Sequence, residues 1–182
     1  MLKITVPRVE GFDEVRNMFV DYIPETTLQL EHSLLSLSKW EAKWKKPFLS
    51  QNEDNPRTQE EMIDYIRCMT LNTVDPKVYD HIPSEVMAKI IKYIEDPMTA
   101  TTFSDNNKKN SREIITSEII YYWMISLTIP FECQKWHLNR LLALIRVCSI
   151  KNQPPKKMSA KEIMTRNKAL NAQRRAKLNT RG

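Results

Sequence analysis

Apolar and polar side chains alternate in two separate places near the N-terminus. The alternation runs from Leu2 to Val6 and again from Thr26 to His32. Because successive side chains of a strand point to opposite faces of a sheet, this pattern predicts two half-buried β-strands that pair with each other. We expect the segment between them to be a loop or a short irregular element that covers one face of the sheet with its apolar residues, Phe12, Val15, Met18, Phe19 and Tyr22.

The spacing of the apolar residues changes after Ser33 from two to three or four, which is typical of an amphipathic helix. One face of that helix would carry Leu34, Leu35, Leu37, Trp40 and Trp44. The helix should end before Pro47. Thr58 and Glu61 have the spacing of a capping box and indicate the start of a second helix, and Ser84 is expected to cap a third.

Two longer apolar segments follow, and both read as helices. The first runs through Ile114 to Leu127, with Asn110 or Ser111 as its cap, and is apolar nearly all round, which is typical of a helix surrounded by other elements. The second runs from Trp136 to Cys148. Because the connection between them is short, we expect an antiparallel helical hairpin at the centre of the domain.

These patterns predict a mainly α fold with a small N-terminal β-hairpin or sheet. We expect a globular helical domain over residues 1–150, a Pro/Lys linker over 151–158, and a basic C-terminal helix or tail over 159–182. Ser159 and Glu162 form a further capping box at the start of this last helix. Its apolar residues form a broken stripe too narrow to anchor it in a core, so it is expected to be detached or to dock on a partner. The alternative is a solvated, partly frayed helix.

The excess positive charge of the chain is concentrated in its last 32 residues. This segment has ten Lys and Arg residues and one acid, a formal charge of +9, whereas the whole chain of 182 residues carries +6. The first 150 residues therefore carry −3. A segment of one sign attracts a surface of the opposite sign. The candidate binding residues in this segment are Lys156, Lys157, Arg166, Lys168, Arg174, Arg175, Lys177 and Arg181.

The sequence offers little chemistry for catalysis. Gly11 and Gly182 are its two glycines, which excludes the glycine-rich loops that cradle phosphates. Its three cysteines include no CxxC pair, and its three histidines have no spacing that would place two on one helical face. We therefore expect no enzymatic activity, cofactor or metal. The most apolar stretch is shorter than the roughly 20 residues that a membrane-spanning helix needs.

Several segments resemble small proteins encoded by tailed bacteriophages. The likeness is carried by residues 33–49, 113–124, 129–142 and 166–182, and it includes the sequence SLLSLSKWEAKWKKPFL and the basic C-terminal end. The chain resembles tail assembly chaperones first, and head–tail or tail components of the virion second.

The resemblance implies specific partners, namely the tape-measure protein and the tail tube subunits. Such a chaperone covers the apolar stripe of the tape measure in the host cytoplasm, whereas a structural component would be retained in the virion. On this reading Trp40 and Trp44 are candidate partner-binding residues, with the alternative that one or both belong to the core. The basic helix would bind an acidic surface on the partner. Nucleic-acid binding by the basic arm is the competing hypothesis, and a homo-oligomer stays open.

Overall fold

The structure of the protein is a computed structural model, which describes residues 1–50, 57–103, 114–153 and 159–179. The chain divides into two compact units, Met1–Ser149 and Ile150–Gly182. The fold is mainly helical with a small antiparallel β component at the N-terminus, which confirms the predicted fold class.

The two predicted strands exist and pair. β1 (Leu2–Val6) and β4 (Thr26–Leu30) are antiparallel, with Leu2 opposite Leu30 and Val6 opposite Thr26. Their alternating apolar side chains, Ile4, Val6, Leu28 and Leu30, are buried. The alternation therefore marks the core-facing side of the sheet, as the pattern predicts.

The segment between these strands was wrongly predicted to be a covering loop. It forms a second antiparallel hairpin, β2 (Val9–Asp13) and β3 (Met18–Ile23). The sequence MFVDYI of β3 is rich in residues that favour strands. Asn17 has a φ of 51°, a left-handed conformation that asparagine tolerates in turns, and it lies at the point where the hairpin closes.

The next three helices begin and end close to their predicted positions. α1 (Leu34–Trp44) ends at Lys45, before Pro47. α2 (Gln59–Met69) begins with the predicted capping box of Thr58 and Glu61. α3 (Ser84–Glu95) begins at Ser84, but Pro83 occupies the cap position and makes no side-chain hydrogen bond, so the prediction of a Ser84 cap is wrong.

The predicted central hairpin of the two apolar helices is also wrong. α4 (Ser117–Ser126) and α5 (Leu138–Asn152) are separated by a 3-10 helix, Phe131–Lys135. Within the described residues the extensive helix–helix contacts are those of α1 with α2 and of α1 with α4. The start of α5 is held elsewhere, because its Leu138 N–H donates to the His32 carbonyl (2.7 Å). The prediction that Asn110 or Ser111 caps α4 is wrong, because this helix begins at Ser117 with Thr116 in the cap position, although Asn110 and Ser111 themselves lie outside the described residues.

Among the described residues, other elements cover α4 on one side only. Its buried residues are Ser117, Ile120 and Met124, whereas Tyr122 and Ile125 are exposed. The central helix of the larger unit is instead α1, and a buried carboxylate connects it to two neighbouring segments. Glu41 accepts hydrogen bonds from the backbone N–H of Phe48 (2.8 Å) and from that of Ser117 (2.7 Å). One side chain therefore joins α1 to the segment that follows it and to the first turn of α4.

Candidate interaction surfaces

The C-terminal helix α6 (Ala160–Leu178) has no buried residue. Its start is fixed by the predicted capping box, which is confirmed. Ser159 Oγ accepts from the Glu162 N–H (3.3 Å), and Glu162 Oε2 accepts from the Ser159 N–H (2.8 Å). This bond from Ser159 lowers the pKa of Glu162. The helix ends at Asn179, which adopts a left-handed conformation.

The cations of α6 lie on two opposite faces. Five of the eight predicted basic residues, Arg166, Lys168, Arg174, Arg175 and Lys177, are on α6, and Lys161 makes a sixth. Lys156, Lys157, Arg181 and the predicted linker's residues 154–158 lie outside the described residues. At about 100° per residue, one face carries Ile163, Arg166, Leu170, Arg174 and Lys177. We call this the Arg166 face. The opposite face, which we call the Lys168 face, carries Lys161, Lys168 and Arg175.

We expect Ser159→Ala to loosen the first turn of α6. The change removes the acceptor for the Glu162 N–H, and loss of such a cap costs about 1 kcal/mol. Hydrogen exchange of the amides in the first turn of α6 should then be roughly fivefold faster. Thr165→Ala is the matched control, because it removes a hydroxyl from the helix interior without removing a cap. Equal exchange in both variants would contradict the capping role.

Trp40 belongs to the core, so its prediction as a partner-binding residue is wrong. The side chain is 1% exposed, and its Nε1–H donates to the Glu61 carbonyl (2.8 Å). Its ring packs edge-on against Phe48, with a centroid distance of 5.1 Å. Trp44 stacks on it one turn later, at 6.2 Å. The two tryptophans share a helical face, but Trp40 lies against α2 and is covered, whereas Trp44 is only half-buried.

Trp44 lines an open cleft of about 490 Å³ along α1 and α2. Its Nε1–H donates to Asp64 Oδ2 (2.8 Å), and Lys43 forms an ion pair with the same carboxylate. Burial alone would raise the pKa of Asp64, but these two hydrogen bonds outweigh it and lower the pKa. The remaining lining residues carry both charge signs and include Ile63, Gln59, Glu60, Arg67 and Asp80. The cleft is therefore an accessible surface of mixed polarity. Of the residues that line it, Trp44 alone was predicted from the sequence to bind a partner.

The β2–β3 hairpin exposes apolar side chains that the sequence analysis assigned to a covering loop. Its exposed apolar residues are Phe12, Val15, Met18, Phe19 and Tyr22. The rings of Phe12 and Phe19 contact each other across the strands with centroids 5.2 Å apart, yet the side chains are 52% and 68% exposed. Tyr22 lies near the Lys77 ammonium group and the His81 ring. The base of the hairpin is thus in contact with the 3-10 helix Pro76–His81, and the Phe12–Phe19 pair faces solvent.

Two buried histidines form a cluster with two tyrosines. The rings of His32 and His137 contact each other with centroids 5.0 Å apart. His32 Nδ1 is hydrogen-bonded to the Tyr65 hydroxyl (2.6 Å), and His137 Nε2–H donates to the Tyr93 carbonyl (3.0 Å). Burial, reinforced by the neighbouring His137, lowers the pKa of His32 to about 3, and burial also lowers the pKa of His137. Both imidazoles are therefore held in their neutral form.

The described residues contain no group of three or more His, Cys, Asp or Glu side chains that could hold a metal ion. Within the same ranges, none of the helices combines the length and apolar character needed to cross a bilayer. Comparisons of the chain with models of protein families, with curated proteins and with solved structures found no match.

Proposed function

We propose that the protein is a non-enzymatic assembly factor that binds a partner chain through α6, and that it acts as a phage tail assembly chaperone. The observation that carries this proposal is α6 itself, a capped helix of 19 residues without a buried side chain. Six cations against one acid give the helix a formal charge of +5. A helix with this composition gains little from packing in its own domain and is suited to contact with another macromolecule.

The partner that fits α6 is an acidic, helical protein segment. The Arg166 face combines the apolar side chains of Ile163 and Leu170 with three cations, so it matches a helix that carries an apolar stripe flanked by carboxylates. A tape-measure protein is a long helical chain whose apolar stripe needs cover until tube subunits arrive. The resemblance to tail assembly chaperones and the composition of α6 therefore favour the same class of partner.

Co-purification with a tape-measure fragment from the same phage tests the proposal. The test variant replaces all six cations of α6 with glutamine, which has a similar helix propensity, so the helix is retained while its charge is removed. We expect the full chain to retain the fragment and this variant to lose it. The matched control replaces six exposed cations of the larger unit with glutamine and should bind normally; these are Lys3, Lys39, Lys45, Lys89, Lys92 and Lys135. Retention by both variants would show that the cations of α6 have no part in the contact.

The second candidate function is nucleic-acid binding by α6. It is favoured by the Lys168 face, which leaves cations on both sides of the helix, an arrangement suited to contacts with phosphates. Against it, α6 contains no aromatic residue on which bases could stack. A gel-shift titration at two salt concentrations separates the two functions. Strong, salt-sensitive retention of DNA or RNA by the full chain, lost in the six-glutamine variant, would favour nucleic acid over the tape measure.

A structural role in the virion is distinguished by where the protein is found. An assembly chaperone is released before the particle is complete, so mass spectrometry of purified particles should detect none of it. Stoichiometric amounts in the particle would favour a head–tail or tail component.

A further inference from the structure

One face of the β2–β3 hairpin combines aromatic rings with acidic positions. The strand register places Phe12 opposite Phe19 and Glu10 opposite Asp21. Because side chains alternate along a strand, Glu10 and Phe12 lie on the same face of the hairpin. The two rings and the Glu10 carboxylate are exposed to solvent. The hairpin therefore offers a small apolar surface next to negative charge.

The hairpin carries a net negative charge, which favours a cationic partner. Residues 9–23 contain four acids and one arginine, a formal charge of −3. Arg8 forms an ion pair with Glu10 (2.9 Å), but both side chains are largely exposed, so this pair is screened by water and salt. The base of the hairpin is packed, because Ile23 is buried, whereas Phe12 and Phe19 farther out are exposed, so a partner would cover the outer part of the hairpin.

The Arg166 face of α6 has the complementary composition. Ile163 and Leu170 are seven residues apart, and they lie on the same face as Arg166, Arg174 and Lys177. Apolar side chains at the centre match the Phe12–Phe19 pair, and guanidinium groups beside them match the carboxylates and the ring faces. A second hairpin would be a poor occupant of the same surface, because both copies would carry −3.

We propose that the β2–β3 hairpin of one copy binds the Arg166 face of α6 in a second copy of the chain. The contact joins two different surfaces, so it is head-to-tail and produces rings or open chains of subunits. Both surfaces are small and exposed, so the association is weak, depends on protein concentration and is screened by salt. The inference goes beyond the proposed function, because it assigns the hairpin a role and does not require a tape-measure protein.

Sedimentation velocity of the full chain at low salt, over a roughly hundredfold range of concentration, measures the association. The wild-type protein should shift from its monomer mass of 21.5 kDa to larger species as concentration rises. The R166E/R174E/K177E variant should weaken the association by roughly tenfold or more. The matched control K161E/K168E/R175E has the same change in charge on the Lys168 face and should associate as the wild-type protein does.

A charge exchange between copies makes the test specific. The E10K/D21K variant alone should also associate more weakly than the wild-type protein, because its hairpin then repels α6. Mixed with R166E/R174E/K177E, it should form larger species again, since lysines on one hairpin now meet glutamates on the other chain's α6. We expect the larger species in the mixture and not with either variant by itself.

Three results would overturn this inference: a wild-type protein that stays monomeric at every concentration, equal losses in the two triple variants, or no recovery in the mixture. A hairpin that bound α6 of its own chain would leave the wild-type protein monomeric at every concentration. The E10K/D21K variant should still retain the tape-measure fragment, because the hairpin has no part in that contact. If the protein does not self-associate but retains the fragment normally, this inference is contradicted and the proposed function is not.

Discussion

Replacing Glu41 with alanine should lower the free energy of unfolding by on the order of 3–5 kcal/mol. The Glu41 carboxylate is the acceptor for the buried N–H groups of Phe48 and Ser117. Each buried donor left without an acceptor costs about 1–3 kcal/mol, and a bond to a charged acceptor is at the upper end of that range. Because small domains are stable by only about 5–15 kcal/mol, this one change should remove a large part of the total.

Urea denaturation followed by tryptophan fluorescence measures this loss. Glu41→Gln keeps one carbonyl oxygen as an acceptor, so it should lose roughly half as much stability as the alanine variant. The control Glu95→Ala removes an exposed carboxylate and should stay within about 0.5 kcal/mol of the wild-type protein. A Glu41→Ala protein that is as stable as the control would contradict the role of α1 as the central helix held by this carboxylate.

The second large effect is a loss of stability at mildly acidic pH. The ordinary pKa of a histidine is about 6.5, whereas the pKa of His32 in the folded protein is about 3. Below pH 6.5 the unfolded chain therefore binds a proton that the folded protein does not take up until about pH 3. Stability is fully present above pH 6.5 and falls as the pH is lowered toward 3. At about 1.4 kcal/mol per unit, His32 alone removes on the order of 2 kcal/mol by pH 5.

The pH range from 7 to 5 isolates this histidine effect. The lowered carboxyl pKa values of Asp64 and Glu61 lie below the ordinary values of about 4, so these groups act at lower pH. Denaturation at several pH values should give a slope that is reduced in His32→Gln and retained in His81→Gln, whose side chain is exposed. Stability that is constant from pH 7 to pH 5 would rule out a neutral, buried pair of histidines.

Local patterns in the sequence were sufficient for most of the elements. The alternation in β1 and β4 and the capping boxes at Thr58 and Ser159 depend on neighbours within a few residues, and the structure confirms them. The Ser84 cap was wrong although its residue type was suitable, because Pro83 takes the cap position. A favourable residue near a helix start is therefore weaker evidence than the paired signal of a capping box.

Burial and contacts that depend on residues distant in the sequence could not be predicted from local patterns. The apolar sequence of α4 predicted an enclosed helix, but its Tyr122 and Ile125 face solvent because the elements packed against it cover only one side. The ring contact of His32 with His137 and the hydrogen bond that Glu41 accepts from Ser117 join segments far apart in the sequence. No local sequence pattern predicts such contacts.

The candidate binding residues show the same division between local and distant information. The charge of α6 was readable from composition alone, whereas the two faces on which its cations lie follow from the helix and its bounds. Trp40 and Trp44 are four residues apart and share one face of α1, so the sequence pattern treats them alike. The ring of Trp40 is covered by Phe48 and by Tyr65 of α2, whereas the ring of Trp44 lies at the open cleft and is only half-buried. The exposed pair of Phe12 and Phe19 was not predicted, because the apolar residues between the two strands were expected to cover a face of the sheet.

Hydrogen exchange of the full chain with and without the tape-measure fragment tests most directly the claim that α6 is the recognition element. Without the fragment, and at a protein concentration low enough to keep the chain monomeric, the amides of Ala160–Leu178 should exchange rapidly, because no residue of the helix is buried. With the fragment, we predict strong protection of α6 and little change in β1, β4 and α1. Protection confined to the cleft beside Trp44, with α6 exchanging as fast as before, would contradict the account.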